Sequence, residues 1–470
     1  MKKMKNKIVI VLLCAAAFIT NALVTPGKAG AITIKEEEEL SREILQVIMS
    51  RYELIQDPVI VDYIDRIGQK IVSTLPTPPF RYRFYVVKED VYNAFATPAG
   101  HIYINSGLLA AMENEEELAG ILGHEISHVA ARHISQKIER SKKVQLATLA
   151  GVAAGVFLGI GGAATASSAV TMGSMAAGQS VMLAYSREDE RQADQMGLKY
   201  LREAGYSGIG LITLLEKIRS RQWFSSSDIP TYLTTHPASE DRLSFVDSWL
   251  AQNPKAENKG EVYEFERAHT FLVANYTDKD LSFKHFEKAV RDNPADAMAH
   301  YGFGLALSRA GDRQKAAEHL KAALEGNAFD PYMLKDLGKI YFLDGRYDQA
   351  LKILNNVILI RPDDSDALYY LGRTQMESGR FEAAVGSLEK LIKKYPGYTP
   401  AFYSLGEAYG KQKKLAEAHY YLGIYYRKTG KFDSAVFHLK RALKETDEPE
   451  KKREIEEMLN QIQKIPRPNS

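Results

Sequence analysis

The 470-residue sequence predicts a mainly α protein in two parts, an α+β domain of helices around a small sheet followed by an all-α solenoid. Three observations carry that prediction. Short alternating stretches sit among helix-period segments in the first half, and a His-Glu-x-x-His run lies on one apolar helix. From Tyr263 onward the chain repeats itself every 34 residues. Composition agrees, since 45% hydrophobic and 26% charged residues are ordinary for a globular chain. Lys+Arg number 61 against 59 for Asp+Glu, so no basic field argues for a nucleic-acid partner. Cys14 stands alone, which excludes an internal disulfide and a thiolate metal cage. A transition metal would have to be held by histidine and carboxylate.

The N-terminus reads as an address. Lys2, Lys3, Lys5 and Lys7 precede an apolar stretch over 8–24, and Ala29-Gly30-Ala31 supplies small residues. That order predicts a secretory signal peptide, residues 1–31, cleaved after Ala31. Cleavage removes five lysines and no acid, turning a formal charge of +2 into −3. An uncleaved anchor helix is the alternative.

A first domain is expected over 32–255. Leu40, Ile44, Val47 and Ile48 recur at helical spacing. Asp57-Pro58 predicts an N-cap with proline at N1, opening a helix that buries Val61, Ile64, Ile67 and Ile71. Residues 82–87 read as a strand and 91–96 as a second extended run. Thr97-Pro98-Ala99-Gly100 then turns into a strand over 101–105. Asn114 with Glu117 predicts a capping box for a helix over about 115–135. Residues 144–186 hold no charge in 43 positions. Most of that segment is Ala, Gly, Ser and Thr, which insert weakly into bilayers, so it reads as a helical hairpin near the site or as a membrane-surface contact before it reads as two spans.

The second part is expected over 262–464. Gly304, Gly338, Gly372 and Gly406 are spaced by 34 residues, as are Ala316, Ala350, Ala384 and Ala418. That period, with small residues in both helices of each hairpin, is the tetratricopeptide signature. Gly423 and Ala435 then follow after half a period, so one helix is expected to serve two hairpins.

The chemistry centres on His124-Glu125-Ile126-Ser127-His128. Residues four apart share a helix face, so both imidazoles can reach one metal while Glu125 faces the attacking water. His133, five residues on, would lie roughly 140° round a continuous helix and is not expected to be a ligand. A catalytic zinc needs a third protein ligand. Glu190 is the candidate, on a helix whose Ala193, Asp194, Gly197 and Leu201 share its face. The bland alternative is an ordinary acidic surface helix. His236, in Thr235-His236-Pro237, is held at the end of a loop and can do one of two things. It stabilises the oxyanion as a donor, or as neutral imidazole it fills the open metal position and shuts the site.

Taken in order, Asn93 to Ala96, Gly100-His101-Ile102, Gly107-Leu108-Leu109, His124 to His128, Ser186-Arg187, Glu190 to Asp194 and His236-Pro237 with Arg242 resemble the gluzincin zinc metallopeptidases that include HtpX, the CaaX prenyl-protease and BepA. The signal peptide and C-terminal repeats are similar to the BepA branch. The resemblance implies zinc on His124, His128 and Glu190, Glu125 as general base, and Asp194 and Arg242 supporting the ligands from behind. It further implies that the edge strand Asn93, Ala94, Phe95 and Ala96 pairs with an extended peptide. It implies a periplasmic endopeptidase acting on unfolded or misassembled envelope proteins. The repeats would dock partners such as the outer-membrane barrel assembly machinery. Two other readings stay open: a chaperone or scaffold in which the repeats do the work, and a membrane protease spanning at 144–186.

Overall fold

The computed structural model describes residues 32–78, 80–140, 185–224, 231–254 and 262–464. The expected signal peptide and nearly all of 144–186 lie outside them. No described helix is long and apolar enough to cross a membrane. The chain divides into two compact units at His269.

The first unit opens with α1 (Ile34–Arg51), closed at its start by a Thr33–Glu36 capping box. Strand β1 (Leu54–Ile55) follows, then α2 (Pro58–Val72), capped by Asp57 with Pro58 at N1. Helix α2 turns Val59, Ile60, Ile64, Ile67 and Ile71 inward, each contributing roughly 1.5–3 kcal/mol by burial. Strands β2 (Arg83–Val87), β3 (Ala94–Thr97) and β4 (His101–Asn105) complete a four-stranded sheet of order β1-β2-β4-β3. β2 and β4 run parallel, and the other two pairs are antiparallel. Register places Tyr85 opposite Tyr103 and Tyr103 opposite Phe95. Their rings stack at 4.9 Å in both pairs, and α1 seals them with Leu40, Ile44 and Ile48. β3 is an edge strand, so its outer backbone faces away from the ladder.

After α3 (Ser106–Ala110) comes α4 (Glu115–Ala130), which is buried along most of its length. Asn114 Oδ1 accepts from Glu117 N at 3.0 Å, but the expected capping box does not close. Glu117 accepts instead from Glu113 N and from Lys217 Nζ. The helix also stops short of 135. Ala131 and Arg132 form a turn with Arg132 at φ +54°, and α5 (His133–Arg140) starts anew. Arg132 is held there by the Glu37 carboxylate and the Ile32 carbonyl on the α1 side. That long-range ion pair offsets the cost of the left-handed residue.

Two later helices close on α4. α6 (Arg187–Glu203) crosses it where Gly197 meets Gly123: a Cβ on Gly197 would lie 3.1 Å from the Gly123 carbonyl oxygen. α7 (Ile209–Phe224) approaches more closely still, since a Cβ on Gly210 would fall 1.8 Å from Glu116 O. α8 (Thr231–Thr235) and α9 (Glu240–Gln252) follow. Pro237 lies before α9, whose N-cap is Ser239.

The rest of the chain runs through α10 (Val262–Tyr276), α11 (Lys279–Asp292), α12 (Ala297–Ala310), α13 (Arg313–Glu325), α14 (Pro331–Leu343), α15 (Tyr347–Ile360), α16 (Ser365–Glu377), α17 (Phe381–Lys394), α18 (Thr399–Lys411), α19 (Leu415–Lys428), α20 (Phe432–Glu445) and α21 (Pro449–Gln463). The 34-residue glycines are the seams of these hairpins. A Cβ on Gly372 would lie 2.7 Å from Leu388 Cγ, and Gly338 meets Leu354 at the same distance. α19 carries both Leu422, against Gly406 of α18, and Gly423, against Leu439 of α20. It is therefore the shared helix that the half-period step predicts.

Candidate active site

His124 and His128 sit one turn apart on α4, with their Nε2 atoms 3.0 Å apart. Glu190, in the first turn of α6, places Oε1 3.3 Å from His128 Nε2 and Oε2 3.5 Å from His124 Nε2. His236, just past α8, brings Nδ1 to 3.0 Å from Glu190 Oε1 and 3.4 Å from His124 Nε2. One ligand atom from each of the four residues lies within 4.8 Å of the others. Glu125 lies beside this cluster, its Oε1 3.6 Å from His236 Nε2.

The helices dictate this convergence. Ser186 and Asp189 form a capping box that starts α6, and the seam at Gly123 and Gly197 brings its first turn down on α4. Behind these four residues, Asp194 Oδ1 faces His124 Nδ1 at 2.8 Å. Arg242 of α9 clamps both acids, with Nε 2.7 Å from Asp194 Oδ2 and Nη1 2.5 Å from Glu190 Oε2.

Burial sets the electrostatics. His124, Glu125, His128, Glu190, Asp194 and His236 are each at most 1% exposed. Burial pushes the Glu125 carboxyl up, against the pull of His236, His124 and the Ala96 backbone N–H. The same desolvation acts on Glu190, but His236 and Arg242 outweigh it and hold that carboxyl well below its usual range. Burial drives His128 toward the neutral form.

The donor set fits a divalent metal. Asp194 can only accept, so His124 keeps its proton on Nδ1 and offers Nε2 to an ion. The buried carboxylates of Glu190 and Asp194 outnumber the single arginine that pairs with them, so the cluster favours a further cation. Two imidazoles and a carboxylate converging on one point suit zinc.

Residues 61–250 match peptidase family M48. The chain carries an M48 metallopeptidase domain. Tetratricopeptide repeat families match at 284–331, 301–367, 341–408 and 416–448. The beta-barrel assembly-enhancing protease of Escherichia coli K12 is 25% identical over 392 residues, covering 75% of this chain and 80% of that one. Metalloprotease LoiP of the same organism is 26% identical, over 52% of this chain and 96% of its own. Mitochondrial metalloendopeptidase OMA1 of Schizosaccharomyces pombe is 25% identical, over 49% of this chain and 65% of its own.

The M48 domain makes this chain a zinc metalloendopeptidase, and the repeats suit protein interaction. Of the residues singled out in the sequence, the fold brings His124, Glu125, His128, Glu190, His236, Asp194 and Arg242 into one cluster. Ala94 to Ala96 lie in edge strand β3 of the M48 domain, with Asn93 just before it. They are buried, and Tyr232 N donates to Tyr92 O beside them at 3.1 Å. Sequence reasoning missed two tyrosines. Tyr185 packs over His128 with ring centroids 3.8 Å apart, and Tyr232 stacks on His236 at 4.5 Å. Their only advance signal was position, Tyr185 just before the α6 cap and Tyr232 one helical turn before His236.

Proposed function

We propose that this protein is an exported, periplasmic zinc endopeptidase that cleaves misfolded or stalled outer-membrane proteins, with its repeats docking partners in barrel assembly. The observation that carries the reading is the buried convergence of His124, His128, Glu190 and His236 with Glu125 beside them. A signal-peptide-like N-terminus and relatives named for barrel assembly support the compartment and the substrate.

In this reading His124, His128 and Glu190 hold zinc, which when bound supplies Lewis acidity and lowers the pKa of water. Glu125 takes a proton from the attacking water as its oxygen adds to the peptide carbonyl carbon. The carboxyl then passes that proton to the leaving amine as the C–N bond breaks. Asp194 holds the His124 ring, and Arg242 holds Asp194 and Glu190. The β3 edge pairs with an extended peptide once the segment carrying Tyr232 moves off Tyr92.

His236 keeps the site shut. One of its ring nitrogens converges with the ligand atoms of His124, His128 and Glu190, and Tyr185 and Tyr232 hold its ring. In His236→Ala, casein cleavage and self-cleavage are expected to rise while one zinc per chain is retained. Lower turnover with zinc retained would mark His236 as an oxyanion donor instead.

Proton release offers a second check. In the metal-free protein burial opposes charge on His124, but Asp194 and Glu190 raise its pKa to about 9. Zinc must displace that proton, so uptake at pH 7 should release about one proton per ion. Apparent affinity should fall about tenfold per pH unit below 9 and level off above it. Titration calorimetry in two buffers of different ionisation heat counts the proton, and none released would contradict the assignment of His124.

A further inference from the structure

We propose that His133 and Gln192 form a relay that fixes which nitrogen of His128 faces the metal, making both of them positioning residues for the zinc site. The proposal rests on the reading of His128 as a zinc ligand. Because α4 breaks at Arg132, His133 swings back against the site in place of continuing round the helix. It is buried, with Nδ1 2.9 Å from His128 Nδ1 and Nε2 3.0 Å from Gln192 Oε1.

Three choices then follow in a chain. The amide oxygen of Gln192 can only accept, so His133 carries its proton on Nε2. A neutral imidazole protonated there has a bare Nδ1, which must accept. His128 therefore donates from Nδ1 and is left with its lone pair on Nε2, the atom facing His124 and Glu190. Ligand histidines generally use their second nitrogen as a donor to a carboxylate or carbonyl. His124 does so through Asp194. His128 does it through a neutral ring, which spares the buried site a fourth carboxylate.

Gln192 lies two residues after Glu190, so α6 supplies both a ligand and the far end of the relay. Its side chain is at the protein surface. Its amide can also turn to present NH2, which would reverse every donor and put a proton on His128 Nε2. The orientation of Gln192 is thus coupled to metal binding.

The test is zinc affinity, read by competition with a chelating dye, in full-length variants. His133→Phe removes the acceptor and should weaken zinc roughly 10–100-fold. Gln192→Lys, which can only donate, should weaken it similarly. Gln192→Glu, which can only accept, should stay within about threefold of the parent. Ring-nitrogen NMR of the zinc-loaded parent should show His133 protonated at Nε2 and bare at Nδ1, a signature that a merely space-filling His133 would not fix. Should His133→Phe fail to fold, the surface substitutions and the NMR signature still decide. Parent-like affinity in Gln192→Lys, or a proton on His133 Nδ1, overturns the relay. Parent-like affinity in His128→Ala would instead sink the ligand assignment beneath it.

Discussion

Glu125→Gln is expected to bind zinc as the parent does and to lose peptide cleavage by roughly 10²–10⁴-fold. The substitution keeps the shape and removes the base. Glu125 lies beside the metal cluster without belonging to it, since its carboxylate reaches His236 Nε2 at 3.6 Å and is not among the four converging groups. Burial already pushes its carboxyl up, the direction that suits a general base working near neutral pH. Casein cleavage and zinc content measured on one preparation decide it. Cleavage at the parent rate would remove Glu125 from the reaction.

Glu190→Gln should cost more zinc affinity than losing an outer partner does, which typically weakens a site roughly 10–100-fold. Glu190 is the only carboxylate in the converging set, and Arg242 Nη1, 2.5 Å from it, would be left facing a neutral amide. The matched control is Glu188→Gln, two residues earlier on the same helix. Glu188 is exposed and pairs with Arg191 across one turn, an interaction worth little. Its zinc content should match the parent. Equal loss in the two variants would show that α6 as a whole, not the Glu190 carboxylate, had been disturbed.

Much of this was legible in the sequence because it is periodic or local. The 34-residue glycines mark helix seams, since each must lie against a leucine 16 residues later. Asp57-Pro58 and Ser186 announce helix starts through caps formed within three residues. The break at Arg132 was not legible. No glycine or proline marks it, and what holds it is Glu37, 95 residues upstream. The angle assigned to His133 therefore assumed a helix that does not continue, and its partner Gln192, 59 residues away, stayed hidden. The packing of Tyr185 on His236 was invisible for the same reason, being set by tertiary contact between segments far apart in the chain.

The meeting of Gly123 and Gly197 has a consequence for metal choice. With no side chain on Gly197, the glutamate helix rests on the backbone of the histidine helix at Gly123, and the Leu201 side chain packs over Gly123 itself. The bite of the site is thus fixed by main chain, which cannot change rotamer to suit a larger ion. Such sites tolerate displacements of only about 0.5 Å. Two missing methyl groups thus act as the spacer that sets the reach of the site.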